Sequence, residues 1–213
     1  MSRKITSVIL SLILSGSLNA GDGKHPQLRY ISFDAGLNIS GISSSLNYDS
    51  HRKNFGASVN LSGNFSFTDS WSVEAALAFE QKGAVDNIYD INTNLNYLAL
   101  PVYMKWITGK DPRLFIITGF YGSWLINAIK RGEQYAGGEV TRVNENVSSD
   151  FYEYDYGIIL GTGMMVRLYD DFDFILSLRG SAGLPGIVRQ TGLKSRNYHF
   201  NISLGYVYYI GFR

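Results

Sequence analysis

Polar and apolar residues alternate with a period of two over long stretches of the chain. From Phe55, the odd positions Ala57, Val59, Leu61, Phe65 and Phe67 are apolar, with Gly63 the exception. The even positions Gly56, Ser58, Asn60, Ser62, Asn64 and Ser66 are small or polar. Side chains of an extended strand alternate between two faces, so this period predicts a strand with one apolar and one polar face. After Thr68-Asp69-Ser70 the pattern resumes, with Trp71, Val73, Ala75, Leu77 and Phe79 set against Ser72, Glu74, Ala76, Ala78 and Glu80. Two such runs joined by a tight turn read as a hairpin.

The same reading gives six more strands, at 30–39, 96–106, 113–127, 154–167, 172–184 and 198–212. Pro101 lies inside the fourth strand, 96–106, where a proline removes one ladder bond and predicts a bulge. The 113–127 segment is apolar on both faces, so its facing is ambiguous. The last strand ends in the aromatic run Tyr206-Val207-Tyr208-Tyr209-Ile210-Gly211-Phe212. Connections alternate in length: 68–70, 107–112 and 168–171 are short, whereas 40–54, 82–95, 128–153 and 185–197 are long. An even number of strands with short turns at one end and long loops at the other is the pattern of a transmembrane up-and-down β-barrel. The fold class expected is therefore all-β, an eight-stranded antiparallel barrel, with both termini on the periplasmic side. A soluble lipocalin-like barrel is the alternative, with the apolar face turned inward.

The first twenty residues predict a different fate. Arg3 and Lys4 precede an apolar stretch from Ile5 to Leu14, and Leu18-Asn19-Ala20 offers a small-residue exit. Such a segment reads as a secretory signal peptide spanning 1–20, followed by one barrel domain over 21–213. The chain has no cysteine, so neither acylation at Ala20-Gly21 nor a disulfide framework is available. Charged residues make up 17% of the chain and the net charge is +1, which argues against a nucleic-acid binder with a basic stripe. The 15 tyrosines suit a membrane–water interface, and the 23 glycines suit crowded inward positions of a narrow barrel.

Three segments also carry a family likeness. Phe65 through Gly83, then Asn94-Leu95-Asn96-Tyr97-Leu98-Ala99-Leu100-Pro101-Val102-Tyr103-Met104-Lys105-Trp106, then Phe115 through Gly122, resemble the PorT-type outer-membrane β-barrel family of porin-like small barrels. Gln81-Lys82-Gly83 matches the usual end of that family's third strand, and Leu95-Asn96-Tyr97-Leu98 with Pro101 the opening of its fourth. Ala99 stands where the family usually has an acidic residue two before the proline. The resemblance implies an eight-stranded barrel and, for some members, a part in secretion or surface assembly. It transfers no catalytic residue.

Candidate chemistry lies on the polar face. Asp34, Glu74, Glu80, Lys105, Asp155, Arg167, Asp173 and Arg179 all fall on expected lumen positions. Glu74 and Lys105 are expected to meet at one level, as are Arg167 and Asp173 across their turn. A narrow barrel of eight strands encloses little more than its own side chains, so a paired-charge plug is the primary reading and a small-solute channel the alternative. An enzyme reading would rest on His199. The residue two beyond is Asn201, and Ser203 lies roughly 13 Å further along an extended strand, too far for activation. No His, Asp and Glu grouping has metal-ligand spacing, Gly161-Thr162-Gly163 is followed by no helix to cradle a phosphate, and no cofactor is expected.

The longest connection carries Lys130, Arg131, Glu133, Glu139, Arg142, Glu145 and Asp150 with Tyr135, Tyr152 and Gly137-Gly138. It reads as a solvated loop or a binding surface for a protein or glycan. His51-Arg52-Lys53 would suit an anionic sugar–phosphate layer. Expected partners are outer-membrane lipid and lipopolysaccharide, the barrel-assembly machinery during biogenesis, and a protein reached through the external loops. The expected role is a non-enzymatic integral component of a Gram-negative outer membrane, with a narrow channel or a lipid-acting enzyme as alternatives.

Overall fold

The computed structural model describes residues 27–44, 51–86, 91–136, 139–189 and 195–210. The expected signal segment, His25, Gly137-Gly138 and Phe212 lie outside these residues. Nine strands form: β1 (Gln27–Ser44), β2 (His51–Ser66), β3 (Trp71–Asp86), β4 (Ile91–Thr108), β5 (Arg113–Ala136), β6 (Glu139–Asn146), β7 (Tyr154–Arg167), β8 (Phe172–Gly183) and β9 (Ser195–Tyr209). Eight of them close a ring in the order β1-β2-β3-β4-β5-β7-β8-β9, all antiparallel, with β9 returning to β1.

Stepping across the ladders from Tyr30 through Asn64, Glu74, Tyr103, Gly119, Ile159, Ser181 and His199 returns to β1 at Ser40, ten residues further along. A stagger of that size around eight strands tilts them about 40° from the barrel axis, within the usual range for closed barrels. The interior is then just wide enough to be filled by side chains.

Facing follows the alternation. Phe33, Leu37, Leu61, Leu77, Leu100, Met104, Leu160, Leu204 and Tyr206 are exposed on the outer wall, while Ser32, Asn38, Asn60, Ser62 and Asn201 are buried inside. That is the reverse of a soluble lipocalin-like barrel, and it is what a wall immersed in hydrocarbon requires. Aromatic pairs gather near the ends of the wall, with Trp71 against Trp106 and Phe172 against Tyr208 at the short-turn end and Trp124 against Tyr154 nearer the other.

The ambiguous β5 is settled by its neighbours. Phe115, Ile117, Tyr121 and Leu125 point inward, and Leu114, Ile116, Phe120 and Trp124 outward. The inward bulk is received by glycines on β7, where Phe115 pairs with Gly163, Ile117 with Gly161 and Tyr121 with Gly157. A Cβ at Gly157 would lie 2.7 Å from the Tyr121 ring, and one at Gly161 3.0 Å from Ile117. Both faces of β5 can therefore be apolar, one against lipid and one against a strip of bare backbone.

Two expectations need correction. Pro101 causes no bulge: it pairs with Tyr121 on β5, and the β3–β4 ladder only loses the pairs at Ala76 and Leu77 while keeping one register on either side. The missing N–H faces β3, where the neighbouring pairs hold the alignment. The bulge on β4–β5 lies instead between Asn96 and Tyr97, with Ile126 as the extra residue. The long connections are also shorter than expected, because β1, β2, β3, β4 and β9 all run past the apolar band.

The largest departure lies within 128–153. β5 runs for 24 residues, about 80 Å of extended chain, and turns back as a ninth strand, β6, paired from Ile129–Asn146 to Ala136–Glu139. Beyond the bilayer both faces of a strand are wet, so β6 lacks the apolar face that marks the others. Its charged sequence resembles a loop for that reason.

Outer-wall facing yields a depth-dependent prediction. Leu204→Arg, midway along the apolar row of β9, should cost about 2–4 kcal/mol in urea titrations of protein folded into lipid vesicles, whereas a charge introduced at Tyr208 should cost about 1 or less from depth alone. Equal costs at the two positions would mean that this wall does not face hydrocarbon.

Candidate functional site

Buried side chains gather at both ends of the lumen and in layers between them. At the short-turn end, Tyr30, Ile107, Phe115, Met165, Ile175, Val207 and Tyr209 form an apolar cluster that also takes in Tyr103, Ile117 and Tyr121. Arg113 bonds both Asp173 and the Tyr209 hydroxyl there, with its guanidinium 5.2 Å from the Tyr209 ring. At the loop end, Leu95, Tyr97, Leu125, Ala128, Phe151 and Ile187 make a second cluster. The segment after β8 folds over it: Tyr152 N–H bonds the Ile187 carbonyl at 2.8 Å, and Ile187 N–H the Ser195 carbonyl at 2.8 Å. Ile187 is completely buried as a result.

Three polar layers lie between these ends. In the lowest, Glu74 accepts five hydrogen bonds: from Tyr30 (2.8 Å), Tyr103 (2.9 Å), Ser62 (3.0 Å), Asn64 (3.2 Å) and Lys105 (2.9 Å). Lys105 Nζ donates to the Tyr30 hydroxyl as well and stands 4.1 Å from the Phe115 ring centre. In the next, Arg179 Nη2 donates to Asp34 at 2.9 Å and to Asn201 at 3.0 Å, while Asn60 donates to Asp34 at 2.8 Å. Asn201 passes the chain on, donating to Asn38 and Ser58 at 2.8 Å each.

The highest layer is less saturated. Lys82 Nζ lies 3.0 Å from Glu80 and 3.8 Å from Asp155, over the Tyr121 ring at 4.4 Å. Asp155 accepts from Tyr121 (3.2 Å) and Asn197 (3.1 Å). The Ser181 hydroxyl is 2.6 Å from His199 Nδ1, and His199 Nε2 is 3.8 Å from Glu80. That last distance is beyond hydrogen-bond range, so the carboxylate does not orient the ring as a hydrolytic triad requires.

Of the eight residues expected in the lumen, the structure places Asp34, Glu74, Lys105, Asp155, Asp173 and Arg179 there as buried groups and Glu80 as a half-buried one. Arg167 is exposed. It stands opposite Asp173 on the backbone ladder, but at the last position of β7 its long side chain reaches solvent, and the lumen-side ion pair of Asp173 is with Arg113. Lys82 and Arg113 also belong to the network. Lys82 falls in the expected 82–95 connection, although it continues the inward parity of Glu74 and Glu80. Arg113 opens a strand whose facing was undecided. Ser181, rather than Ser203, is the hydroxyl near His199, because the two meet across the β8–β9 ladder. Among the described residues no group of His, Asp and Glu could hold a metal ion.

Such a molecule is a small transmembrane barrel whose inward side chains pair and pack with one another. Residues 24–189 match the family model described as outer membrane protein beta-barrel domain, and the chain belongs to that family. No curated protein matches its sequence. The crystal structure of the outer membrane protein OprG from Pseudomonas aeruginosa aligns with TM-score 0.52 at 11% identity, over 89% of this chain and 99% of its own. That of Ail, the attachment invasion locus protein of Yersinia pestis, aligns with TM-score 0.46 at 12% identity, over 85% and 100%. At such identities the likeness concerns the fold.

Breaking one layer tests the plug. Lys105→Met leaves Glu74 charged and buried without its cation, and should lower stability by about 3–5 kcal/mol in urea titrations. The double variant Glu74→Gln, Lys105→Met should recover most of that loss. A single variant as stable as the parent would show that the lower layer is hydrated rather than sealed.

Proposed function

We propose that this protein is a non-enzymatic outer-membrane barrel that acts through its surface, as an interaction component of PorT-type kinship serving secretion or surface assembly. The observation that carries the reading is the arm formed by the distal half of β5 and by β6. It rises past the end of β4, whose last partner on β5 is Arg131, and among the described residues β6 pairs only with β5. The far edge of β6 therefore has no strand partner among the described residues. An unpaired edge is a template for adding a strand from another chain, with backbone bonds supplying affinity and alternate side chains supplying selectivity.

Side chains along the arm are poised for contact rather than for holding the arm together. Val140 is exposed, and the Arg142–Glu133 pair, at 3.5 Å, is too exposed to contribute much stability. The filled lumen supports the same reading, because a sealed interior leaves the outside as the working surface. Against a hydrolase stands the spacing of Glu80 from His199.

Crosslinking the native protein in its membrane, followed by affinity purification and mass spectrometry, should recover a reproducible partner. Replacing residues 132–143 with an Asn-Gly turn, which the facing pair Arg131–Asn144 can close, should abolish that capture and leave barrel folding unchanged. A partner retained without the arm, or recovery of the barrel alone, would overturn the reading. In planar bilayers the protein should show no steady current; openings that change on neutralising Glu74 or Arg179 would establish a channel instead.

A further inference from the structure

Strand pairing lays the outer wall out as a grid, and one part of that grid is a furrow. On β8 the outward positions Gly180 and Ala182 carry little or no side chain. Across the ladders they face Leu160 and Ile158 on β7, and Phe200 and Tyr198 on β9. Large residues thus flank a strip of small ones, leaving a space of about 350 Å³ that extends to Ile39 and Lys53. A Cβ built on Gly180 meets nothing closer than the Leu160 carbonyl oxygen at 3.9 Å, so the floor is open.

The loop-side end of the furrow is cationic. Tyr198 leans over Gly41, where a Cβ would come 2.5 Å from the nearest ring carbon. Lys53 stands beyond Gly41 on β2, next to Asn54, the partner of Ser40. Arg196 follows two residues from Tyr198 on the same face of β9. Both cations are exposed and neither has a hydrogen-bond or ion-pair partner among the described residues. An apolar trough ending at two uncommitted cations and an interfacial tyrosine has the complementarity of a lipid with a phosphorylated head.

We propose that this furrow seats one acyl chain of a lipid A molecule, with a lipid A phosphate held between Lys53 and Arg196. The cations lie at the end of the barrel away from the short turns. In bacterial barrels that end faces the cell surface, where the outer leaflet is built from phosphorylated glycolipid, and this selects lipid A over a glycerophospholipid. The site is independent of the arm, and its presence does not depend on a protein partner.

Native mass spectrometry of the whole folded protein in detergent tests the site, with lipid A, dephosphorylated lipid A or phosphatidylglycerol added in turn. One lipid A should be retained, and the other two only weakly. Lys53→Gln and Arg196→Gln should each weaken retention about five-fold, the worth of one cation near a charged lipid surface. Gly180→Leu, which fills the trough, should weaken it also, and Lys110→Gln at the opposite end should change nothing. Heat-modifiable gel mobility reports whether each variant folds; should Gly180→Leu fail to fold, the two exposed charge variants decide. Retention unaffected by those two variants, or phosphatidylglycerol held as tightly as lipid A, would overturn the proposal.

Discussion

Closure of the hydrogen-bond ladder is the constraint on which the rest of the structure depends. In hydrocarbon an unpaired N–H or C=O costs several kcal/mol, so a sheet that crosses the bilayer must have no edge. The pairing of β9 with β1, from Tyr30–Tyr209 to Ser44–Ser195, removes the last one. Once the ring is closed with eight strands and a ten-residue stagger, its diameter follows, and the lumen can hold side chains and little else.

The character of those side chains is then a packing problem with an electrostatic solution. Every strand presents alternate residues to the interior, and the polar ones must be satisfied by one another. Glu74 illustrates how: two tyrosines, a serine, an asparagine and a lysine converge on one carboxylate from three other strands. Because a buried charge without its counter-ion is costly while a fully satisfied one can be tolerated, the network ties strands together whose backbones never touch. β1 and β4 meet in this way through Tyr30 and Lys105. Aromatic and aliphatic side chains seal the two ends, Tyr209 and Phe115 at one, Phe151 and Ile187 at the other.

The same rule also explains what stands outside. Above the bilayer an open edge is tolerable because water can satisfy it, so β6 needs no second neighbour. The arm and the lipid-facing furrow are two consequences of one wall meeting two solvents. In hydrocarbon, specificity is available only through shape and through charges placed at the head-group level. In water it is available through the backbone itself.

Period-two alternation by itself determined that the chain runs as strands with one apolar and one polar face, and which ionisable groups share the polar face; only the closed ring showed that the apolar face is the outer one. The alternation is legible because each strand spends most of its length between two unlike environments. Where that contrast fails, the sequence is silent. β5 is apolar on both faces, and only the glycines of β7 show which face is inside. β6 is wet on both faces, and only its pairing with β5 shows that it is a strand. Lys82 and Arg113 carried the right parity, but whether they are buried was decided by how far β3 extends and by the facing of β5. The meeting of Ser181 with His199 depends on register between strands. Register is a property of the closed ring, fixed by the stagger that closes it, and no single strand's sequence contains it.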